Sequence, residues 1–187
     1  PTGSLCVDIG SNDGTLLSGF KKLGMKVVGV EPTDISQIAH AAGIFTVQGR
    51  FERNMVEYIL DQSGPAQIIT ATNVFAHMAD LGEVMRGIQA LLAPDGVFIT
   101  ESHYLLDVLE KNQFDTCYHE HIRTYSLRSL MHLFSYYGME VFDVQRAERY
   151  GGNIRAYVCR HGQRPISDEV TKLLINEVES GLFEPET

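Results

Sequence analysis

Positive charge is scarce in this chain: 15 lysines and arginines stand against 24 aspartates and glutamates, for a net charge of −9. The acids are spread along the chain, and basic patches of the kind nucleic-acid binders carry are missing, so no nucleic-acid partner is expected. No apolar run approaches the ~20 residues of a membrane span. A secretory leader pattern is also lacking. These absences predict a cytoplasmic protein with no membrane partner. Only three cysteines occur, Cys6, Cys117 and Cys159. They are odd in number and far apart, which excludes a disulfide framework and a zinc-ribbon spacing. No metal is expected in the chain. Cys6 falls in a predicted buried strand and reads as a small hydrophobe. Internal repeats and low-complexity segments are absent too. What is present is 187 residues, 44% of them hydrophobic, enough for one domain with a real core and an appendage.

Apolar runs alternate with helical periodicity. Strands are predicted over residues 5–10, 27–31, 45–48, 68–73 and 97–101. Helical segments begin near Thr15, Ile35, Arg53 and Leu81. This alternation predicts an α/β fold, a Rossmann-like, mainly parallel sheet with helices on both faces. Asp34 and Asp80 stand where helix caps belong, and Pro94-Asp95-Gly96 signals a turn before the fifth strand. A polar, aromatic insert follows over residues 102–124. A helix over 126–137, ended by Gly138, leads to strands over 139–144 and 154–159. These two strands predict an antiparallel C-terminal hairpin. Residues 1–162 read as one domain. Residues 163–187 read as a charged helix and the start of a linker, ending Glu184-Pro185-Glu186-Thr187.

The densest signal is the first. The strand Leu5-Cys6-Val7-Asp8-Ile9 runs into Gly10-Ser11-Asn12-Asp13-Gly14, and an apolar helix start follows. The next buried strand ends on Glu31. A strand, a glycine turn, a helix and a strand with a terminal carboxylate form the adenosine-holding unit of a Rossmann-type sheet. The glycines admit close backbone approach, and the carboxylate, ~20 residues after the turn, can accept from ribose hydroxyls. The dinucleotide fingerprint G-x-G-x-x-G fails at Asn12 and Thr15. The pattern D-x-G-x-N-x-G instead resembles the first motif of class I S-adenosylmethionine (SAM) methyltransferases, with Asn12 in the middle slot.

Ligands of an open parallel sheet bind off the C-terminal ends of its strands. That rule gathers Gly10, Glu31, Gly49, Asn73 and Glu101 on one edge. Asn73 opens Asn73-Val74-Phe75-Ala76-His77, and His77 reads equally as a packed or a functional histidine. Tyr118-His119-Glu120-His121 concentrates four polar groups. It lacks the H-E-x-x-H spacing and any cysteine pair, so a metal reading finds little support. An extended segment would turn Tyr118 and Glu120 one way and His119 and His121 the other. Histidine titrates near neutral pH and suits general-base work.

Five motifs occur in order: Asp8–Leu17, Gly29-Val30-Glu31-Pro32, Asn73–His77, Tyr118–His121 and Gly151-Gly152-Asn153-x-Arg155. Together they resemble the SAM-dependent nucleotide-sugar C-methyltransferases, which branch keto-deoxysugars. The resemblance implies SAM as cofactor, with S-adenosylhomocysteine as product, and a nucleotide-linked keto-sugar as substrate. It implies deprotonation beside the sugar ketone and methyl transfer to the enolate carbon. His121 would be the general base, with Tyr118 and Glu120 orienting sugar or base. Asp8, Gly10, Asn12, Gly14, Glu31, Phe51 and Asn73 would hold SAM, while His77, Tyr104 and Arg155 would face the substrate. Family members resemble a three-part protein whose zinc domain and final α/β domain flank this central part. His103 stands where the family favours proline, and Asn153 where it favours serine. O- or N-methylation of another small molecule, and a non-catalytic SAM-fold module, are the other readings of the same residues.

Overall fold

The runs Leu5–Ile9, Lys26–Glu31, Thr46–Gln48, Ala66–Thr72 and Leu92–His103 form strands β1 to β5, followed by β6 (Met139–Ala147) and β7 (Asn153–Arg160). A computed structural model describes residues 2–116 and 118–184. The expectations for Cys117 and for a linker at Pro185-Glu186-Thr187 lie outside the described residues. The strands form one sheet in the order β3-β2-β1-β4-β5-β7-β6. The first five are mutually parallel. Strand β7 runs antiparallel to both β5 and β6. The α/β, Rossmann-like sheet with an antiparallel C-terminal hairpin is therefore the observed fold.

Side chains alternate across a strand, so β1 feeds two cores. Cys6 packs with Leu17, Ala39 and Ile44 on the face of helices α1 (Thr15–Lys22) and α2 (Ser36–Ala41). Val7 and Ile9 join the larger core. It takes in Ile59 of α3 (Arg53–Ser63), Ile88 of α4 (Leu81–Leu91) and Phe134. Burial pushes the Cys6 thiol up to about 12, so Cys6 behaves as the small hydrophobe its position predicts. The strand order reverses between β1 and β4, and that switch point opens a crevice at the strand C-termini.

Several local expectations change. Asp80 caps α4 by accepting from the Glu83 amide at 2.9 Å. Asp34 caps nothing; it accepts from the Gln48 side chain instead. Pro94-Asp95-Gly96 lies within β5, where the register to β4 jumps from Ala66↔Leu92 to Ile68↔Val97. The turn residues bulge the strand rather than precede it. The polar insert holds a short helix, α5 (Leu105–Glu110).

Helix α6 (Leu127–Tyr136) starts with a capping box between Ser126 and Ser129. A second group caps it from far along the chain. Glu177 of α7 (Asp168–Glu179) is fully buried, and its carboxylate accepts from the Leu127 and Arg128 amides and the Tyr104 hydroxyl. A carboxylate at a helix N-terminus satisfies orphan amides and complements the helix dipole.

Candidate active site

The turn after β1 is built by backbone geometry. Gly10 has φ 72, and a Cβ there would collide with Val74. Only glycine lets β1 and the segment after β4 approach so closely. Asn12 also sits in the left-handed region, at φ 50, which asparagine tolerates. Its amide donates to Glu31 Oε2 at 3.1 Å. The other oxygen, Oε1, accepts from the Thr33 amide at 2.9 Å and its hydroxyl at 2.7 Å. Three protein donors thus fix the Glu31 carboxylate, and Oε2 retains acceptor capacity.

Asp8 is almost fully buried and accepts from the Thr70 hydroxyl at 2.6 Å. Burial, reinforced by the Glu31 charge, pushes its carboxyl up to about 7, against the lowering effect of Thr70. The ordinary value is 3.8. The folded protein therefore holds a proton that the unfolded chain has lost between about pH 4 and 7. Stability should fall as pH rises through that window. Asp8→Asn should remove this fall. The variant should match the native protein near pH 4 and exceed it by roughly 2–4 kcal/mol at pH 8. Denaturant unfolding across pH 4–8 checks this, and parallel pH profiles for the two proteins would contradict it.

A cleft of about 720 Å³ opens at the switch point, lined by Gly10, Glu31, Phe51, His77, Met78 and Glu120 among others. Its walls also carry Glu52, Asp80 and Glu83, with Arg50 as the lysine-or-arginine group. A SAM molecule carries a sulfonium, an ammonium and a carboxylate, so its net charge is positive. The acidic lining, the glycine approach and the held carboxylate of Glu31 all fit that group.

A second pocket of about 250 Å³ adjoins the first and shares His77 with it. It is lined by Asn73, Ala76, Ser102, His103, Tyr118, His121 and Tyr150. The segment 118–121 is a turn, closed by the His121 amide donating to the Tyr118 carbonyl at 3.0 Å. Residues three apart therefore meet. The Tyr118 hydroxyl lies 3.3 Å from His121 Nε2, and the two rings are 4.3 Å apart. His121 Nδ1 lies 2.7 Å from the Thr116 carbonyl. A carbonyl only accepts, so Nδ1 carries the proton and the lone pair of the neutral ring is on Nε2. The Tyr118 hydroxyl then donates to Nε2. His77 follows the same rule, with Nδ1 at 2.7 Å from the Glu120 carbonyl. The Arg123 guanidinium donates to the carbonyls of Met78 and Ala79. These bonds join the loop after β4 to the loop carrying His121. The His103 ring is 4.7 Å from that of His121. Burial first, then the neighbouring His121 and His77, hold its pKa below the ordinary histidine range. The ring is neutral at neutral pH.

The structure redistributes the residues expected at the site. Gly10, Glu31, Phe51 and Glu120 line the larger cleft. Asn73, expected on the cofactor, lines the smaller pocket with Tyr118 and His121, and His77 lies between the two spaces. Tyr118 and Glu120 do not share a face, because the segment turns rather than extends. Asp8 lies in the sheet interior. Asn12 is exposed and acts through its amide. Gly14 starts α1 against Ala39 and Ile44 and faces the core. Tyr104 is a correction. It is fully buried, burial and Glu177 push its pKa up, and its hydroxyl is spent on that carboxylate. It supports the site from behind and touches neither cavity. Arg155 is also held away, paired with Glu101 at 2.6 Å. Glu101 accepts from Asn153 as well, and Asn153 donates to Asn73. His103 and Tyr150 complete the pocket without having been singled out for it. His103 has as signals its place near Glu101 and its standing where the family favours proline, and Tyr150 its two following glycines.

The fold and the cleft together define a class I, SAM-dependent methyltransferase domain. Residues 1–144 match the sequence family described as Methyltransferase domain, and the chain belongs to that family. It is 38% identical over 185 residues to the C-methyltransferase NovU of Streptomyces niveus. That match takes in 96% of this chain and 43% of the relative. A ubiquinone biosynthesis O-methyltransferase of Bradyrhizobium sp. is 30% identical over 104 residues, 54% of this chain and 40% of that protein. The chain thus spans less than half the length of these curated relatives. Among solved structures, magnesium protoporphyrin IX methyltransferase from Synechocystis superposes with a TM-score of 0.66 at 11% identity, covering 85% of this chain and 75% of that one. A complex of a methyltransferase with the Haloferax volcanii Trm112 activator gives 0.68 at 15% identity, covering 86% and 84%.

Proposed function

We propose that this domain catalyses SAM-dependent C-methylation of a nucleotide-linked keto-deoxysugar. The observation that carries this reading is the Tyr118–His121 pair. It sets an imidazole with a fixed tautomer in a small pocket that shares a wall with the cofactor cleft. The resemblance to NovU, a C-methyltransferase, supports the same chemistry. As the substrate enters, the Tyr118 hydroxyl gives up its bond to His121 Nε2; the freed lone pair takes the proton from the carbon beside the ketone, and the C–H electrons move into the enolate. Tyr118 keeps the ring in place, and the Thr116 carbonyl stabilises the imidazolium that forms. SAM, once bound, supplies an activated methyl group that the enolate carbon takes up. Proton abstraction α to a carbonyl by a positioned base is worth about 10²–10⁴-fold.

An O- or N-methyl transfer is the second reading, favoured by the ubiquinone-type O-methyltransferase relatives. One measurement separates the two. The full-length protein is incubated in D₂O with S-adenosylhomocysteine and a thymidine-diphosphate-linked 4-keto-6-deoxyglucose, and proton NMR follows the carbons beside the ketone. The enolate route exchanges deuterium into one of those carbons. No exchange in this incubation, together with methylation of an oxygen or nitrogen when SAM replaces S-adenosylhomocysteine, would rule out the carbon route.

A further inference from the structure

Tyr150 has a backbone that a tyrosine rarely adopts. Its φ is 52, in the left-handed region, where bulky side chains are strained. Such strain persists only where the surroundings over-determine it, and here they do. The Gly151 carbonyl accepts from Lys111 Nζ at 2.7 Å and from Gln113 Nε2 at 2.8 Å. The Gly152 carbonyl accepts from the Tyr104 amide, and the Gly152 amide donates to the Arg149 carbonyl. A Cβ at Gly151 would collide with Gln113, and one at Gly152 with Asp107. This held loop leaves Tyr150 62% exposed, at the edge of the 250 Å³ pocket that it lines with His121 and Asn73.

Charge points the same way. The neighbouring cleft is lined by five carboxylates, which would repel a diphosphate. On the loop's side, Lys111 pairs with Asp107, Arg146 with Asp107 and Glu110, and Arg155 with Glu101. Arg149 makes no ion pair among the described residues, and its guanidinium stands 5.5 Å over the Tyr150 ring. A pocket of about 250 Å³ takes one sugar ring and leaves the attached diphosphate outside.

We infer that Arg149 and Tyr150 form the lip of the substrate pocket and hold the junction between the sugar and its diphosphate. The Tyr150 ring packs against the C–H face of the sugar, and the Arg149 guanidinium bonds the phosphate oxygens. This rests on reading the smaller pocket as the sugar site.

The test is calorimetric binding of thymidine diphosphate and of thymidine-diphosphate glucose to the full-length protein loaded with S-adenosylhomocysteine. Arg149→Gln should weaken both ligands about tenfold or more. Arg149→Lys should recover part of the loss, which a purely structural arginine would not show. Tyr150→Gly should weaken the glucose conjugate more than the bare diphosphate. It should not lower the melting temperature, because glycine adopts this φ without strain. The inference is overturned if neither ligand binds the native protein, if both substitutions leave affinities within twofold, or if thymidine diphosphate displaces S-adenosylhomocysteine. These outcomes are independent of deuterium exchange at carbon, so the lip and the C-methylation reading fail separately.

Discussion

Replacing His121 with alanine is expected to lower kcat by 10²–10⁴-fold while S-adenosylhomocysteine affinity stays within twofold. That loss corresponds to about 3–5 kcal/mol of transition-state stabilisation. The selectivity follows from the geometry. His121 lines the smaller pocket and not the cofactor cleft. Its Nδ1 is engaged by the Thr116 carbonyl and its Nε2 by the Tyr118 hydroxyl. Alanine removes the proton acceptor without touching the turn after β1. The full-length protein should lose α-carbon exchange and methyl transfer together. A variant that retained methylation within tenfold would remove His121 from the role of base and pass it to Tyr118 or His77.

The second large effect is on the cofactor side. Glu31→Ala should weaken S-adenosylhomocysteine binding roughly 10²-fold, read by calorimetry. Hydrogen bonds to a charged acceptor are each worth about 1.5–3 kcal/mol. The substitution takes away a carboxylate that the Asn12 amide and Thr33 hold in place before any ligand arrives. It also frees the Asn12 amide, so the glycine turn loses its anchor. Glu31→Gln should recover only part of the affinity, since an amide offers one acceptor atom. A dissociation constant within threefold of native for the alanine variant would mean that the ribose is held elsewhere.

Most of the frame was legible in the sequence because parallel strands buried on both faces read as short apolar runs. Local chemistry was harder. Tyr118 and His121 stood out as polar groups, yet their pairing was invisible to a two-residue period. It depends on a turn that brings residues three apart together. Asn12 looked like a gap in a glycine pattern, while its use is a left-handed backbone and an amide aimed at Glu31. Tyr104 misled because a tyrosine at the end of a central strand resembles a site residue. Its partner, Glu177, lies 73 positions away, and no local pattern announces it. Tyr150 is hard to read in the sequence for a related reason. Its strain is imposed by Lys111, Gln113 and Asp107, all remote in sequence.

The Glu177 bond has a consequence during synthesis. The α6 amides it caps lie about 50 residues earlier in the chain. At roughly 5–20 residues per second, the ribosome needs on the order of 3–10 s to cover that distance. For that interval, α6 and the hydroxyl of Tyr104 are made but lack their carboxylate. Phe134 already has Phe75 and Phe98 to pack against, so what waits is the uncapped first turn of the helix. The first turn of α6 is therefore the part left open late, after the cofactor turn is complete, and α7 is the segment whose arrival closes it.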